Sequence, residues 1–441
     1  MPSLRHVVIV GAGRAGASAA AALRAEGFDG SIRLVGDESL PPYERPPLSK
    51  AVLAGTAAAG AQQVLAPDFY REQHVELLLG QAASAVDLSA RCVELAGGAR
   101  LSYDHLILAT GARARRLPPD LDPERRALAL RDAADATRLA AALASPRCRH
   151  VIVVGGGVIG LEVAAAARAA GRAVTVVEAG PRIMGRVLPA ALAPLLKQEH
   201  ERHGVRILEA VHPRRLTVRE AATSTVDADV APVRLDLGDG SAIVGDLVVA
   251  GIGAVPQTAL AQAAGLHCDD GILVDEFGAT SDPAVSAVGD AARFLHPTFG
   301  RALRVESWQH AQRHAAAVAR HIAGQREPGQ REPYVDVPWM WSEQFGLELQ
   351  AAGLLDDGDE SVVRTSADGS VTTVFALRGG ALRGVAALGP DGKIGRDVRV
   401  AQLMMERGVK VAAAALADPD VRMKSLMSSA PPAAPNRDAV A

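Results

Sequence analysis

One pattern occurs twice in this chain and decides its fold. His6-Val-Val-Ile-Val10 runs directly into Gly11-Ala-Gly13-Arg-Ala-Gly16, and Val151-Ile-Val-Val154 runs into Gly155-Gly-Gly157-Val-Ile-Gly160. Each short apolar run rich in β-branched residues predicts a strand, and each glycine motif predicts a tight turn. The Ala-rich stretch after each motif predicts a helix. The chain is therefore predicted to contain two strand–turn–helix units of the same design.

An acidic residue completes each unit. Asp37 follows the apolar run Ile32-Arg-Leu-Val35, and Glu178 follows Val174-Thr-Val-Val177. In a βαβ dinucleotide site the glycines permit the turn and the close approach of the pyrophosphate, and the acid accepts hydrogen bonds from the ribose. One such motif is a weak signal, but two complete units predict two dinucleotide sites. Such an enzyme would hold one nucleotide tightly and exchange the other.

Later segments indicate how the two units are arranged. Leu106-Ile-Leu-Ala109-Thr110-Gly111 is an apolar strand ending in a small turn, and Leu247-Val-Val-Ala250-Gly251-Ile-Gly253 repeats it. Helices are predicted near 306–323 and 396–407, with a polar linker at 324–333. We therefore expect an α/β fold with two Rossmann-like dinucleotide-binding domains, one inserted in the other, and a C-terminal α+β domain. The predicted boundaries are 1–113 with 246–325, 114–245, and 326–427, followed by a disordered tail at 428–441.

The composition excludes several classes of protein. The 47 Lys and Arg residues nearly balance the 50 Asp and Glu residues, for a net charge of −3, which argues against a nucleic-acid-binding protein. Cys92, Cys148 and Cys268 are too few and too dispersed for a disulfide framework or a cysteine-ligated cluster, and no metal site is predicted. No apolar run is long and uninterrupted enough to cross a membrane. A reducing cytoplasm is the expected location.

Three further motifs make the chain recognisable. Pro42-Tyr43-Glu44-Arg45-Pro46-Pro47-Leu48-Ser49-Lys50, Arg304-Val-Glu306-Ser-Trp308 and Pro338-Trp-Met-Trp341-Ser342-Glu343-Gln344-Phe345-Gly346 are similar to segments of one family. The chain resembles the FAD-dependent ferredoxin reductases of oxygenase systems, the family of putidaredoxin reductase, rubredoxin reductase and the aromatic-ring dioxygenase reductases. The resemblance covers nearly the whole chain.

The resemblance implies that FAD occupies the first site and NADH the second, with a small iron–sulfur protein (ferredoxin or rubredoxin) as electron acceptor. It also implies catalytic roles for Lys50 and Glu162, which would face each other beside the flavin ring, and for Trp341, which would line that ring. Glu162 is expected in the first helical turn, where it would gain from the helix dipole. The cofactor-binding residues predicted from the motifs and the resemblance together are Gly11, Gly13, Ala15, Gly16, Asp37, Arg45, Lys50, Ala83, Ala109, Thr110, Gly111, Arg115, Gly157, Ile159, Gly160, Glu162, Glu178, Arg186, Gly253, Gly289, Asp290, Glu306, Ser307, Trp308 and Trp341.

Other interpretations stay open at this point. From its residues alone, Asp290 is equally well a turn or helix-capping residue, and as ordinary core aromatics the tryptophans need no function. Without the resemblance, a solvated Lys50 and a Glu162 in an N-terminal helical turn are the favoured interpretations. Glu178 at the second site favours NADH, although Arg182 and Arg186 would partly accommodate the phosphate of NADPH. Arg293, Arg304 and Arg313 are candidates for a positive surface that docks an acidic carrier. A pyridine-nucleotide disulfide or peroxide reductase and an NADH-responsive scaffold like apoptosis-inducing factor are the alternative functions.

Overall fold

The computed structural model of the chain describes residues 4–218, 229–324 and 331–427. The predicted tail at 428–441 and part of the predicted linker, 325–330, lie outside these ranges. The chain forms two compact units, each of which is discontinuous in sequence. The first unit comprises Met1–Arg115, Ala129–Ala141 and Gly253–Asp336, and the second comprises Arg116–Leu128, Ala142–Ile252 and Val337–Ala441.

Strands outnumber helices in the described chain, and the two alternate mainly around the glycine motifs. The strands, in chain order, are β1 (His6–Val10), β2 (Ser31–Val35), β3 (Val75–Leu78), β4 (Ala83–Asp87), β5 (Cys92–Leu95), β6 (Arg100–Ser102), β7 (His105–Leu108), β8 (Ala112–Ala114), β9 (His150–Val154), β10 (Ala173–Val177), β11 (Val205–Leu208), β12 (Pro213–Val218), β13 (Val233–Leu237), β14 (Ala242–Gly245), β15 (Leu247–Ala250), β16 (Ala254–Pro256), β17 (Ile272–Val274), β18 (Val285–Ala287), β19 (Ala292–His296), β20 (Arg301–Leu303), β21 (Trp339–Gln344), β22 (Leu347–Gly353), β23 (Glu360–Thr365), β24 (Thr372–Arg378) and β25 (Ala381–Pro390).

The helices are α1 (Arg14–Ala25), α2 (Phe69–Glu72), α3 (Ala133–Ala144), α4 (Val158–Ala169), α5 (Ala193–Arg202), α6 (Ala259–Ala263), α7 (Trp308–Ala323), α8 (Gly395–Glu406), α9 (Ala413–Ala417) and α10 (Met423–Leu426). The helices predicted near 306–323 and 396–407 correspond to α7 and α8. None of the helices in the described ranges has the length and apolar character needed to cross a lipid bilayer.

The first unit is built on a parallel five-stranded sheet in the order β18-β7-β1-β2-β3. Val7 and Ile9 of β1 face a core shared with α1 and α7, whereas Val8 and Val10 belong to a second core on the other face. Burial of both faces explains why β1 reads as a continuous apolar run instead of an alternating one. The antiparallel sheet β4-β5-β6 packs against the second core and contains the buried Cys92.

The second unit contains a parallel sheet in the order β11-β10-β9-β15, an antiparallel sheet β12-β13-β14, and a C-terminal antiparallel sheet in the order β21-β22-β25-β24-β23. The side chains of β9 from Val151 to Val154 are all buried, as in the corresponding strand of the first unit. Helix α8 contributes Val398, Ala401 and Met405 to the buried interior of the C-terminal part.

The predicted boundaries differ from those of the two units, and the strand Leu247–Ala250 shows one reason. The sequence boundary at 246 would assign Leu247–Ala250 to the first domain, but this strand, β15, pairs in parallel with β9 of the second unit. The reason is the internal repeat: β15 pairs in parallel with β9 in the same way that β7 pairs with β1. The chain returns to the first unit at Gly253 instead, directly before β16 pairs with β8.

Candidate functional site

The first glycine of each motif lies where no side chain fits. Gly11 has φ +116° and Gly155 has φ +106°, both in the region that favours glycine. A Cβ on Gly11 would lie 2.1 Å from the carbonyl oxygen of Ala109, and a Cβ on Gly155 would lie 2.4 Å from that of Gly251. The two predicted turns are therefore both present, and each backbone passes directly against the end of a neighbouring strand.

The capping residue before each helix leaves the start of that helix open to a ligand. Gly13 caps α1 and Gly157 caps α4, and neither cap has a side chain that accepts from the first amides. A Cβ built on Gly13 would meet no atom within 4 Å. Unpaired amides at the positive end of a 12-residue helix, with free space before them, fit a pyrophosphate. We call each glycine turn with the helix start that follows it a cradle: residues 11–16 form the first cradle and residues 155–160 the second. Both cradles therefore suit a dinucleotide.

Close packing behind each cradle accounts for the last glycine of each motif. A Cβ on Gly16 would lie 2.0 Å from the oxygen of Gly11, and one on Gly160 would lie 2.1 Å from that of Gly155. Ala15 is buried, and Gly289 of the first unit approaches it so closely that a Cβ there would lie 3.0 Å from that of Ala15. Larger residues at these places would displace the helix from the turn.

The two predicted ribose acids are held differently. Glu178 accepts the amide of Gly156 at 2.7 Å on one oxygen and the amide of Gly180 at 2.6 Å on the other. Asp37 is exposed and accepts the amide of Glu38 at 3.0 Å. Glu178 is thus fixed against its own glycine loop, whereas Asp37 is oriented by a bond to the next residue in the chain.

Asp290 lies in a short 3₁₀ turn, Gly289–Ala291, between β18 and β19. Its carboxylate accepts a hydrogen bond from Arg131 at 2.8 Å, and the Asp290 side chain is only 13% exposed. The Arg131 guanidinium also donates to the carbonyl of Ala112 at 2.8 Å. Sequence reasoning identified Asp290 but not Arg131, which holds it.

The motif from Pro42 to Lys50 forms a polar cluster with neighbouring residues. Arg45 donates to Glu38 and to the carbonyl of Arg131, both at 3.1 Å. Tyr43 donates to Glu38 at 2.6 Å and accepts the amide of Ala133 at 2.8 Å, and burial raises the pKa of this phenol well above its usual range. Arg45 is therefore anchored on both sides, and Tyr43 stays protonated.

Trp308 begins α7 and has partners that the sequence did not reveal. Its indole N–H donates to Glu44 at 2.5 Å, and Glu44 also forms an ion pair with Arg14. The Arg14 guanidinium lies 3.8 Å from the centre of a Trp308 ring and donates to Gln312 at 2.7 Å. Arg14 and Glu44 are functional candidates that the sequence did not single out, although both lie within the quoted motifs.

Glu162 and Trp341 belong to the second unit. Glu162 is 4% exposed and accepts a hydrogen bond from Ser342 at 2.5 Å. It is the fifth residue of α4, so the expectation that it lies in the first turn and gains from the helix dipole is wrong. Trp341 is half-buried and stacks on Trp339, with ring centres 5.0 Å apart and planes at 16°.

The remaining predicted residues are placed as follows. Lys50 is half-buried at the end of the 3₁₀ turn Pro46–Ser49, and it lies in the first unit, so its pairing with Glu162 stays a prediction. Thr110 donates to the carbonyl of Gln257 at 2.7 Å, and the backbone amide of Arg115 donates to Gly253 at 2.9 Å. Ser307 caps α7 by accepting the amide of His310 at 3.2 Å. Ala83 and Gly111 are partly exposed, and Arg115, Ile159, Arg186 and Glu306 are exposed.

The predicted positive surface is largely neutralised. Arg293 pairs with Asp269, Arg304 with Glu306 and Asp270, and Arg313 with Asp336. Paired charges contribute little to the long-range potential that steers a partner. In the described ranges, no group of three or more His, Cys, Asp or Glu side chains is placed to hold a metal ion.

Comparison with known proteins identifies the family. Residues 5–315 match the family model described as pyridine nucleotide-disulphide oxidoreductase, and residues 339–427 match the model described as reductase C-terminal. The chain belongs to the pyridine nucleotide-disulphide oxidoreductase family. The chain is 38% identical to rhodocoxin reductase of Rhodococcus erythropolis, over 95% of this chain and 93% of that protein.

Two further similarities place this pyridine nucleotide-disulphide oxidoreductase among the reductases of oxygenase systems. The chain is 39% identical to the ferredoxin–NAD(+) reductase component of the anthranilate 1,2-dioxygenase system of Burkholderia cepacia, over 95% of this chain and 98% of that protein. It also matches the crystal structure of a covalent putidaredoxin reductase–putidaredoxin complex with a TM-score of 0.87 and 34% identity, over 97% of this chain and 99% of that one. The predicted family and fold class are confirmed.

Proposed function

We propose that this chain is an FAD-dependent NADH:ferredoxin or NADH:rubredoxin oxidoreductase that supplies electrons to an oxygenase or a P450. The observation that carries this proposal is the pair of complete dinucleotide cradles, each with an open helix start and its own acid. The relatives named as ferredoxin–NAD(+) reductase and rhodocoxin reductase support the same reaction. When bound, FAD accepts hydride from NADH and passes electrons singly to the carrier.

The first unit is proposed to hold FAD. The amides at the start of α1 bind its pyrophosphate, Asp37 accepts from its adenosine ribose, and Asp290, fixed by Arg131, accepts from the central part of the cofactor. Lys50 places a positive charge where the reduced cofactor is negative, and Arg45 and Arg115 contact the cofactor. Trp308 excludes water from the ring, and the same role for Trp341 stays a prediction.

The second unit is proposed to hold NADH. The carboxylate of Glu178 binds the ribose hydroxyls and repels a 2′-phosphate. The guanidinium of Arg182 donates to the carbonyls of Gly185 and Leu188, both at 3.3 Å, so it would have to leave these partners to bind a 2′-phosphate. Arg186 is the exposed cation nearest in sequence, so NADPH is expected to bind weakly instead of not at all.

The proposal includes three domains. Residues 1–113 with 253–325 would hold FAD, residues 114–252, which include β15, would hold NADH, and residues 326–427 would form the C-terminal domain. It also includes a cytoplasmic location, which the free cysteines Cys92, Cys148 and Cys268 support.

Disulfide or peroxide reduction is the weaker alternative, because the thiols are poorly suited to it. Cys92 and Cys148 are buried, and burial raises the pKa of Cys148 to about 11 and also raises that of Cys268. A thiol with a raised pKa is mostly protonated at neutral pH, whereas the nucleophile in disulfide exchange is the thiolate.

Anaerobic titration of the purified protein with NADH, followed by mixing with a candidate ferredoxin while the flavin absorbance is recorded, tests the proposal. The expected result is full bleaching by one equivalent of NADH and rapid reoxidation by the ferredoxin. A long-lived NADH–flavin complex that the ferredoxin does not discharge would favour the scaffold function. A Cys92→Ser, Cys148→Ala, Cys268→Ser variant serves as control, and loss of NADH-dependent turnover in that variant would favour thiol chemistry.

A further inference from the structure

A continuous line of four buried polar side chains crosses the second unit. Ser342 lies 2.5 Å from Glu162, Gln344 lies 2.8 Å from Ser342, and the Gln344 oxygen lies 2.6 Å from Nε2 of His200. Each of the four side chains is at most 4% exposed. Ser342 and Gln344 are two residues apart on β21, so they share one face of the strand. The line therefore joins α4, β21 and α5.

The chemistry of these groups gives the line a single direction. An ionised carboxylate only accepts hydrogen bonds, so the Ser342 hydroxyl donates to Glu162 and its oxygen accepts from the Gln344 amide. The Gln344 oxygen then accepts from His200, which requires the proton of His200 on Nε2.

His200, at the end of the line opposite Glu162, independently requires that the hydrogen bonds run towards Glu162. Nδ1 of His200 is buried and has no hydrogen-bond partner among the described residues, so it is the nitrogen without a proton. The reverse tautomer would bury an unpaired N–H, which is unfavourable. Burial lowers the pKa of His200, although the bond to Gln344 and the nearby Glu199 oppose this and the nearby His203 adds to it. The edge-on contact with Phe345, at 4.9 Å between ring centres, holds the imidazole plane.

We propose that Ser342, Gln344 and His200 are positioning residues that hold the Glu162 carboxylate in one orientation for the proposed reaction with NADH. The proposal deepens the proposed function and rests on it, because Glu162 lies on the helix that begins at the second cradle. Hydrogen bonds aligned in one direction polarise each other, so the Ser342 hydroxyl is a stronger donor to Glu162 than an isolated serine. Glu162 is the group that acts, and the other three act through it.

A double-mutant cycle on flavin reduction tests this dependence. Stopped-flow reduction by NADH is measured for the wild type, Gln344→Met, Glu162→Gln and the double variant. We expect Gln344→Met to slow the reaction about 10-fold, since a hydrogen bond that supports a charged group is lost. The double variant should be within about 2-fold of Glu162→Gln alone. Multiplied effects of the two substitutions would overturn the proposal.

Two further variants separate positioning from folding. Gln402→Met is the matched control, because Gln402 is 3% exposed in the same unit but lies outside this line, and it should be within about 2-fold of the wild type. If Gln344→Met does not fold, the cycle is built on Ser342→Ala, and Ser342→Thr, which restores the hydroxyl, should recover the rate.

A measurement that needs no nucleotide keeps this inference separate from the proposed function. Two-bond ¹H–¹⁵N NMR of protein labelled in histidine, with His200→Gln for assignment, reports the tautomer of His200. We expect neutral His200 with its proton on Nε2, and a proton on Nδ1 or on both nitrogens would overturn the proposal. Failure of the wild type to accept hydride, with the Nε2 tautomer present, would count against the reductase function and leave the direction of the line intact.

Discussion

The buried histidines of α7 predict a loss of stability in acid that is specific to the first unit. His310 is 2% exposed, lies against Phe294, and its Nδ1 is 3.1 Å from the Tyr334 hydroxyl. Burial lowers the pKa of His310 to about 3, and His296 adds to the effect. His314, one turn further on, has its pKa lowered by burial and by His310, and it accepts the amide of Gly289 at 3.4 Å.

The magnitude for His310 follows from proton linkage. Its pKa in the folded chain lies below the value of about 6.5 in the unfolded chain, so between these values the unfolded chain binds more protons. The contribution of neutral His310 to the free energy of unfolding is therefore fully present above pH 6.5 and is lost progressively as the pH falls towards 3. From pH 7 to pH 5 the loss covers about 1.4 pH units, and at about 1.36 kcal/mol per unit it amounts to about 2 kcal/mol. The neighbouring His314 shifts in the same sense, and Asp336 and Arg313 form an ion pair nearby.

His310→Gln is the decisive variant, since glutamine keeps a hydrogen-bonding group and does not titrate. The assay is urea unfolding at pH 7 and pH 5, with pulsed deuterium labelling of the α7 amides as a probe of the first unit alone. The wild type should lose about 2 kcal/mol more than His310→Gln between the two pH values. His267→Gln, at an exposed histidine of the same unit, should behave like the wild type. Equal losses in wild type and His310→Gln would refute the reasoning.

Three further predictions concern the cradles. Gly11→Ala should destabilise the first unit by at least about 3 kcal/mol in urea unfolding, because its Cβ would lie 2.1 Å from a carbonyl oxygen at φ +116°; Gly98→Ala, at a positive φ in open space, is the control and should cost about 1 kcal/mol. Arg131→Met should weaken FAD binding about 10-fold or more in a fluorescence titration, since it removes the charged partner of Asp290, and unchanged affinity would exclude Asp290 from the site. Glu178→Gln should reduce the preference for NADH over NADPH about 10-fold, as judged by kcat/KM, and an unchanged ratio would show that the carboxylate does not set it.

The parts of the site that the sequence predicts are those made by neighbouring residues. The glycine turns and the acid after each second strand are local features, and each is where it was expected. Partnerships between distant residues were missed. Trp308 and Glu44 are 264 positions apart, and Arg131 and Asp290 are 159 apart. Nothing in the local pattern of either member indicates the other, because tertiary packing alone brings them together.

The internal repeat also explains why its two copies use different acids. Gly11 donates to Val35 and Gly155 donates to Val177, both at 2.8 Å, so Gly36 is the counterpart of Glu178. A Cβ on Gly36 would lie 2.5 Å from the Cβ of Ala12, which leaves no room for a carboxylate at that position.

In the second copy the glycine and the residue with a side chain have exchanged places. The counterpart of Ala12 is Gly156, whose amide instead binds the Glu178 carboxylate. A Cβ on Gly156 would lie 3.2 Å from that carboxylate and 2.8 Å from Ile183. Close packing thus requires a glycine in each of these two pairs. In the first copy the glycine is Gly36, so the acid follows one position later, at Asp37. The second cradle therefore presents a carboxylate fixed to its glycine loop, and the first presents an exposed one. This difference gives the two copies a physical basis for binding different nucleotides despite sharing one backbone design.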